Sequence, residues 1–296
     1  MHKYICEVVS IITPKKFQLD GLWFGGDKTT TGFIYLHGLT GSAFQLHDVL
    51  VPLTNESTTA LYLNNRGHNF IGKVKKIDNR SKKGFKSMAL GVAHETFTDC
   101  VDDIQGVVNL LKRRGVNNIY LVGHSTGCQK SIYYLSRPGK QKLIKGVVLL
   151  CPLSDYAYTK KFEDPAKLKR AVEYAERLIK EDKSHELMPT DIWPELLDAQ
   201  RFLSLNTQNS IEEIFTYSQP SKRPITLQKV KTPILMVLAG KDEFADRPAR
   251  KIESWFKANS KSQTLTTAIV SGSLHGLMGH ENKVAELIHN WKQTIV

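Results

Sequence analysis

One pentapeptide in the sequence offers an activated nucleophile. Residues 123–127 read Gly-His-Ser-Thr-Gly and match the pattern G-x-S-x-G, which places a serine at a sharp turn between a strand and a helix. The apolar run 119–122 predicts that strand, and the pattern through Tyr134 predicts the helix. Glycines on both sides of the turn remove side chains that would collide with neighbouring backbone. We therefore predict that Ser125 is the nucleophile of an acyl-transfer reaction.

A serine hydroxyl is a weak nucleophile at neutral pH and needs a general base. The sequence contains ten histidines, and His275 follows the last predicted strand and precedes the last predicted helix. A loop at that position can present an imidazole to Ser125. His280 lies on the same stretch and is the alternative base. His124 adjoins the serine, and we expect its side chain to point away and to pack or hydrogen-bond within the body.

The base needs a carboxylate that orients it and stabilises its cation. Asp242 comes just after the predicted strand 234–238, which places serine, aspartate and histidine in that order along the chain. Glu243 and Asp246 are alternatives on the same loop, and Asp155 follows an earlier strand. We predict that Asp242 fills this role.

The developing oxyanion needs N–H donors that are already in place. Thr126, the residue after the nucleophile, is one predicted donor. The second is Leu39, on the loop after the predicted strand 33–36, where Gly38 keeps the backbone accessible. His37 begins this loop and is a predicted substrate contact.

The elements that must position these residues follow from hydrophobic periodicity. Short apolar runs alternate with segments of helical period, and the first two runs are predicted to pair as antiparallel strands. Alternation of this kind predicts an α/β fold with a mostly parallel central sheet flanked by helices. The predicted strands are 8–12, 17–24, 33–36, 60–63, 119–122, 146–150, 234–238 and 265–270. The predicted helices are 97–114, one that follows the turn at 123–127 and runs through Tyr134, and a final helix through 284–295.

A long insertion interrupts this alternation. We expect residues 1–152 and 225–296 to form the core and residues 153–224 to form a helical cap over the strand ends. The insertion holds an amphipathic pattern at 168–179 and a second helical stretch around Trp193–Leu205. Trp193, Phe202 and Phe215 are predicted substrate contacts; alternatively, these aromatic side chains only attach the cap to the body.

A second interruption is strongly basic. Residues 73–86 contain seven basic side chains and one acidic one. This composition is typical of a solvated surface loop. The alternative is a basic rim close to the mouth of the active site.

Composition sets the broad class. The 296 residues are 41% hydrophobic and 24% charged, which is ordinary for a soluble globular protein. The formal charge of +12 favours solubility or attraction to an anionic ligand, but no nucleic-acid-binding motif accompanies it. No apolar stretch reaches the roughly 18 residues that a membrane span needs. We therefore expect neither a nucleic-acid nor a membrane partner.

The cysteines indicate the compartment. The four cysteines lie far apart and form no C-x-x-C pair, so they predict neither a zinc site nor a redox pair. Four scattered cysteines without a pairing pattern are typical of proteins in a reducing environment. The first residues carry no apolar run of signal-peptide length. We expect a cytoplasmic protein.

Taken together, these motifs resemble the α/β-hydrolase superfamily along nearly the whole chain except the cap. The matching segments are His37-Gly38, Arg66-Gly67-His68, residues 123–127, Gly240-Lys241-Asp242 and His275. Residues 123–130, Tyr133-Tyr134 and residues 240–244 also resemble the branch that includes fungal siderophore esterases. That likeness implies cleavage of an ester in a polar, hydroxamate-type molecule.

The function expected from these residues is a carboxylic ester hydrolase that works through an acyl-enzyme on a small-molecule ester or acyl substrate. Its chemistry requires no metal and no organic cofactor. A thioesterase, an amidase or an acyltransferase on the same three residues is the first alternative. A non-catalytic ligand receptor of the same fold is the second, because fold alone does not determine function. Nothing in the sequence indicates the oligomeric state.

Overall fold

The computed structural model describes residues 3–26 and 28–295 as one succession of strands and helices. In chain order these are β1 (Glu7–Ile12), β2 (Phe17–Phe24), β3 (Thr31–Leu36), α1 (His47–Leu50), β4 (Thr58–Leu63), β5 (Gly72–Ile77), β6 (Phe85–Leu90), α2 (Cys100–Arg113), β7 (Asn118–His124), α3 (Thr126–Leu135), β8 (Gly146–Leu150), α4 (Asp155–Phe162), α5 (Pro165–Lys180), α6 (Ala199–Asn206), α7 (Ile225–Gln228), β9 (Ile234–Ala239), α8 (Ala249–Asn259), β10 (Leu265–Val270) and α9 (Glu281–Thr294). Across these ranges, no helix is both long enough and apolar enough to cross a membrane.

The strands form one twisted, mixed sheet. Its order is β10-β9-β8-β7-β3-β4-β2-β5-β6, and β1 pairs with β2 as the antiparallel partner that the sequence predicts. Neighbouring strands are parallel in the part β10-β9-β8-β7-β3-β4 of this order. The pairings β4–β2, β2–β5 and β5–β6 are antiparallel. The predicted α/β class with a mostly parallel sheet is confirmed. The carboxyl ends of the parallel strands therefore meet along one edge of the sheet.

Helices cover both faces of this sheet, and alternate side chains of a strand enter different cores. In β7, Ile119 and Leu121 pack on the side of α2, α3 and α8, whereas Tyr120 and Val122 pack on the side of α1 and α9. Because both faces are buried, the central strands have continuous apolar runs rather than alternating patterns.

A separate apolar cluster forms in the long segment between β8 and β9. The predicted amphipathic helix is α5, and its Ala171, Ala175 and Leu178 pack on Trp193 and Phe202. These side chains are buried among themselves rather than within the two sheet cores. The segment thus has a small core of its own.

The second helix of this segment is shorter than its sequence predicts. Helical structure was expected around Trp193–Leu205, but α6 begins only at Ala199. Asp198 is the N-cap of this helix, because its side chain accepts the N–H of Arg201 at 2.8 Å. The helix therefore begins after Asp198. The predicted start is therefore wrong, and residues before the cap form a loop.

The basic segment 73–86 is a β-hairpin, which corrects the loop prediction. Strands β5 and β6 pair in antiparallel register at the edge of the sheet. Val74 is buried, whereas the Lys76 ammonium lies over the Phe17 ring, 5.1 Å from its centroid. Strand β6 is the outermost strand at this end of the sheet, and five of the six lysines in residues 73–86 are exposed to solvent.

Candidate active site

The serine of the pentapeptide lies at a strained turn. Strand β7 ends at His124 and α3 begins at Thr126, so Ser125 alone makes the connection. Its φ of 54° and ψ of −123° are unusual for a residue with a side chain. The backbone is held on both sides, because Ser125 donates its N–H to Leu150 and accepts the N–H of Cys128. The strain therefore persists in the folded protein.

The two glycines of the pentapeptide permit close packing of backbone. A Cβ on Gly127 would lie 2.1 Å from the carbonyl oxygen of Leu36, and one on Gly123 would lie 2.3 Å from the carbonyl oxygen of Gly127. Real Cβ atoms do not approach other atoms this closely. The turn is accordingly built against the end of β3, as the sequence predicts.

His275 and Asp242 form a hydrogen-bonded pair. The imidazole Nδ1 lies 2.8 Å from Oδ2 of the carboxylate, and both side chains are largely buried. The other carboxylate oxygen accepts the N–H of Phe244 at 3.0 Å. A carboxylate on Nδ1 fixes the tautomer that carries its proton there and leaves Nε2 free to accept one.

The alternative residues take other places. Glu243 accepts the backbone N–H of His275 at 2.8 Å, so it holds the main chain rather than the imidazole. His124 contacts the carbonyl oxygen of His275 through Nε2 at 2.9 Å, as a hydrogen-bonding residue, but it lines the same cavity as Ser125 rather than packing within the body. Asp246 pairs with Arg247. Of the carboxylates considered from sequence, Asp242 is the one hydrogen-bonded to the imidazole of His275.

Ser125 and His275 line one cavity of about 370 Å³ at the carboxyl ends of the parallel strands. Gly38 and Leu39 form part of the same wall, and a Cβ on Gly38 would lie 2.8 Å from the Cβ of Ser125. Thr126 is fully buried and begins α3, where backbone N–H groups have no partner within the helix. The structure thus brings both predicted oxyanion donors next to the serine.

The hairpin that contains residues 73–86 does not reach this cavity. Four inter-strand steps separate β5 from β7, which is about 19 Å at the usual strand spacing of about 4.8 Å. The structure describes every residue of 73–86, and none of them lines the cavity. The alternative of a basic rim is therefore wrong.

Carboxyl groups line the cavity, although the chain as a whole is basic. Asp155, Glu163 and Glu195 all contribute to the wall. Burial, reinforced by the nearby Glu212, raises the pKa of Asp155 to about 8, so this carboxyl is mainly neutral at pH 7. Burial also raises the pKa of Glu195. Asp155 is therefore a mainly neutral hydrogen-bonding group in the wall at pH 7.

The predicted substrate contacts divide into two groups. Trp193 lines the cavity, and its ring packs edge-on against Phe202 at a centroid distance of 4.9 Å. Phe202 lies behind it, fully buried and outside the wall. His37 is also fully buried, and its Nδ1 contacts the carbonyl oxygen of Gly38 at 2.8 Å. Phe215 is likewise fully buried and outside the wall. Phe202, Phe215 and His37 therefore have no access to a molecule in the cavity, which corrects those three predictions.

A buried ion network that was not predicted from the sequence lies beside the turn at Ser125. Lys130 of α3 pairs with Glu95, which also pairs with Arg201, and Arg201 contacts Glu212. Burial alone would raise the pKa of Glu95, but Lys130 and Arg201 outweigh it and hold that pKa at about 2. Gly67 leaves room for this carboxylate, because a Cβ there would lie 2.2 Å from the carboxyl carbon.

This network joins α3 to the segment between β8 and β9. The available sequence signal for it was Lys130, the one charged residue in the segment TGCQKSIYYL that forms α3. Removing one partner would leave an uncompensated buried charge, which strongly destabilises proteins.

Two groups of donor side chains have metal-ligand spacing within the described residues. One is the histidine–aspartate pair above together with Cys151, and it belongs to the cavity. The other consists of His94, His185 and Asp198 and lies apart from the serine.

Solved structures with the same fold are numerous. The siderophore hydrolase EstB from Aspergillus fumigatus is 16% identical, with a TM-score of 0.66 over 100% of this chain and 99% of that one. Est1E from Butyrivibrio proteoclasticus, solved with ferulic acid, is 17% identical, with a TM-score of 0.62 over 96% and 98%. The α/β hydrolase GrgF from Penicillium sp. sh18 is 16% identical, with a TM-score of 0.63 over 98% and 99%.

These similarities establish the α/β-hydrolase fold and confirm the resemblance predicted from the sequence, including the likeness to a siderophore hydrolase. At such identities they establish the fold and not the activity. No functionally curated protein matches the chain.

A family model matches most of the chain. It covers residues 81–294 and thus includes Ser125, Asp242 and His275. The family is described as a protein of unknown function, DUF1749. The chain therefore belongs to the DUF1749 family.

Proposed function

We propose that this protein is a serine hydrolase that cleaves a carboxylic ester of a small molecule. The observation that carries the proposal is the 2.8 Å contact between Asp242 and His275 in a cavity that Ser125 also lines. A serine at a strained strand–helix turn, an imidazole and an orienting carboxylate are the parts that an activated hydroxyl nucleophile requires. The fold shared with several esterases is consistent with it.

The first half of the reaction forms an acyl-enzyme. The Ser125 hydroxyl attacks the ester carbonyl carbon while Nε2 of His275 takes the hydroxyl proton. Backbone N–H groups of Thr126 and Leu39 bind the resulting oxyanion, and the positive end of the α3 dipole adds to this stabilisation. Collapse of the tetrahedral intermediate breaks the ester bond, and His275 returns the proton to the leaving alcohol oxygen.

The second half releases the acid. A water molecule attacks the acyl-enzyme carbonyl and gives its proton to His275, and a second tetrahedral intermediate forms on the same two N–H donors. When that intermediate collapses, Ser125 leaves as the restored hydroxyl. Asp242 keeps its negative charge throughout and stabilises the imidazolium in both halves.

We assign the residues 153–224 to a cap that selects the substrate. Trp193 and Glu195 come from this segment and line the cavity beside the serine. Neutral Asp155 offers a hydrogen-bond donor there, which suits a polar acyl or alcohol group. A hydroxamate-type ester, the substrate class suggested by the siderophore-esterase likeness, has such acceptors.

An activity panel with matched serine variants tests the proposal. Aryl esters, siderophore esters, thioesters and amides are each incubated with the wild type, with Ser125→Ala and with Ser87→Ala. Ser87 is exposed on the edge strand β6 and serves as the control. We expect ester cleavage in the wild type and the control and none above background in Ser125→Ala.

Other outcomes of the panel identify the alternatives. Preference for thioesters or amides, or product formation only with an added alcohol or amine acceptor, would replace the esterase by a thioesterase, an amidase or an acyltransferase. Substrate binding without turnover in the wild type would indicate a receptor. Equal turnover in Ser125→Ala and wild type would reject the proposed nucleophile.

A further inference from the structure

Three potential metal ligands meet at the junction between the segment after β6 and the proposed cap. Nδ1 of His94 lies 3.0 Å from Oδ2 of Asp198, and Nδ1 of His185 lies 2.9 Å from the same oxygen. The three atoms all lie within 4.8 Å of one another. Asp198 is fully buried, whereas the His185 side chain is 64% exposed. The cluster is therefore buried on the side of Asp198 and open to solvent on the side of His185.

The backbone holds the segments that carry these ligands in place. Asp198 donates its N–H to the carbonyl oxygen of Ala93 at 2.8 Å, next to the first histidine. Ala199 donates its N–H to Glu186 at 3.0 Å, next to the second histidine. The Asp198 side chain is oriented as well, because its other oxygen accepts the N–H of Arg201. These hydrogen bonds hold the three segments together, so the three side chains would stay close even without the contacts between them.

We propose that His94, His185 and Asp198 form a binding site for a divalent transition metal, with zinc the best fit. Zinc accepts imidazole nitrogens and carboxylate oxygens, and sites with three protein ligands keep a fourth position for water or another small ligand. Because the His185 side chain is exposed, a water molecule can reach the cluster to take that position. The site lies outside the proposed serine chemistry and does not depend on it.

The observed distances suit this metal after a small adjustment. Zinc–ligand bonds of about 2.0–2.1 Å at tetrahedral angles separate the ligand atoms by about 3.3 Å. The two nitrogens therefore have to move from the oxygen by a few tenths of an ångström. The exposed His185 side chain is free to make this movement, and each neutral imidazole turns a lone pair on Nδ1 toward the metal.

A metal at this place would fix part of the cavity wall. The loop between His185 and Asp198 carries Trp193 and Glu195, which both line the cavity. The metal would close the base of that loop and tie it to the segment that contains His94. We therefore expect metal binding to stabilise the fold and to order this wall.

Zinc binding to the chain without a histidine tag tests the site. The protein is stripped with a chelator, dialysed and titrated with Zn²⁺ by calorimetry, and Co²⁺ is added separately to record the visible absorption of a low-symmetry site. We expect one equivalent to bind. At 100 times its dissociation constant, zinc is expected to raise the Tm by about 5 °C.

Three histidine variants make the test specific to these ligands. His94→Gln and His185→Gln each remove a ligand, whereas His289→Gln removes an exposed histidine on α9 and is the matched control. We expect the affinity to fall at least about tenfold in the first two and to stay unchanged in the control. Asp198→Asn is avoided because this side chain also caps α6.

The remaining outcomes overturn the site. A wild type that binds no zinc shows that the cluster is only a hydrogen-bonded group of side chains. Binding that survives in either His94→Gln or His185→Gln shows an adventitious ion elsewhere on the surface. Near-ultraviolet circular dichroism of the metal-free variants checks that each variant is folded, so lost binding reports lost ligands. Ester turnover is not part of the readout, and failure here leaves the proposed esterase untouched.

Discussion

Replacing Gly38 by alanine is expected to disable the serine without unfolding the protein. The added Cβ would lie 2.8 Å from the Cβ of Ser125 and 3.4 Å from its Oγ. Carbon atoms in contact normally lie about 3.5–4.0 Å apart, so about 0.7–1.2 Å must be recovered by movement. The strained turn and the loop of Leu39 are the two parts that can move, and both belong to the proposed machinery.

The displacement converts into an expected loss of rate. A misplacement of about 1 Å near the reacting atoms costs on the order of 100-fold in rate. We therefore expect Gly38→Ala to lower kcat/KM for a short-chain aryl ester about 100-fold. Overpacking costs about 1–3 kcal/mol in the free energy of unfolding, which leaves most domains folded.

Gly72→Ala is the matched control, because a Cβ on Gly72 would have no atom within 4 Å. Its activity and Tm are expected to equal those of the wild type. Hydrolysis of the ester by folded Gly38→Ala within about threefold of the wild-type rate would refute this prediction. Such a result would mean that the exact position of Ser125 next to residue 38 does not control the rate.

Four further substitutions address the carboxylates and the wall. Asp242→Asn is expected to lower kcat by about 10³- to 10⁴-fold, by analogy with serine proteases. Glu243→Gln still accepts the His275 N–H and is expected to stay within about tenfold; the reverse pattern in ester assays would transfer the orienting role to Glu243. The raised pKa of Asp155 means that the folded protein keeps a proton on this carboxyl up to about pH 8, whereas the unfolded chain loses it above about pH 4. The contribution of Asp155 to the free energy of unfolding therefore becomes more unfavourable as the pH rises from about 4 to about 8. Thermal melts at pH 6 and pH 9 should show a smaller drop in Tm for Asp155→Asn than for wild type, and equal drops would contradict the raised pKa. Trp193→Phe should shift the ratio of kcat/KM values between bulky and short acyl esters, and an unchanged ratio would mean that this ring only packs.

Much of the fold follows from the sequence because the central strands are buried on both faces. The predicted bounds of β2, β8 and β10 agree with the structure. Strand β8 is a fully buried apolar run, and such a run ends sharply at polar or turn residues. The serine, histidine and aspartate positions follow from the same elements, because each one comes directly after a strand. Their joint presence at one edge of the sheet is a consequence of parallel pairing.

Features that depend on packing between distant segments could not be predicted in the same way. The β5–β6 hairpin carries too many lysines for a strand pattern, and the fold accommodates them because most of these side chains are exposed at the end of the sheet. Burial of His37 and the raised pKa of Asp155 depend on which side chains cover them. His94, His185 and Asp198 have no motif spacing, because the chain brings them together only by folding.

Labelling with a fluorophosphonate probe, followed by mass spectrometry of the peptides, tests the central claim most directly. Such a probe phosphorylates an activated serine and ignores ordinary hydroxyl groups. The proposed mechanism predicts one adduct, on Ser125, that is absent in Ser125→Ala and retained in Ser87→Ala. Undiminished labelling of Ser125→Ala, or a wild type that takes no label at all, would contradict it.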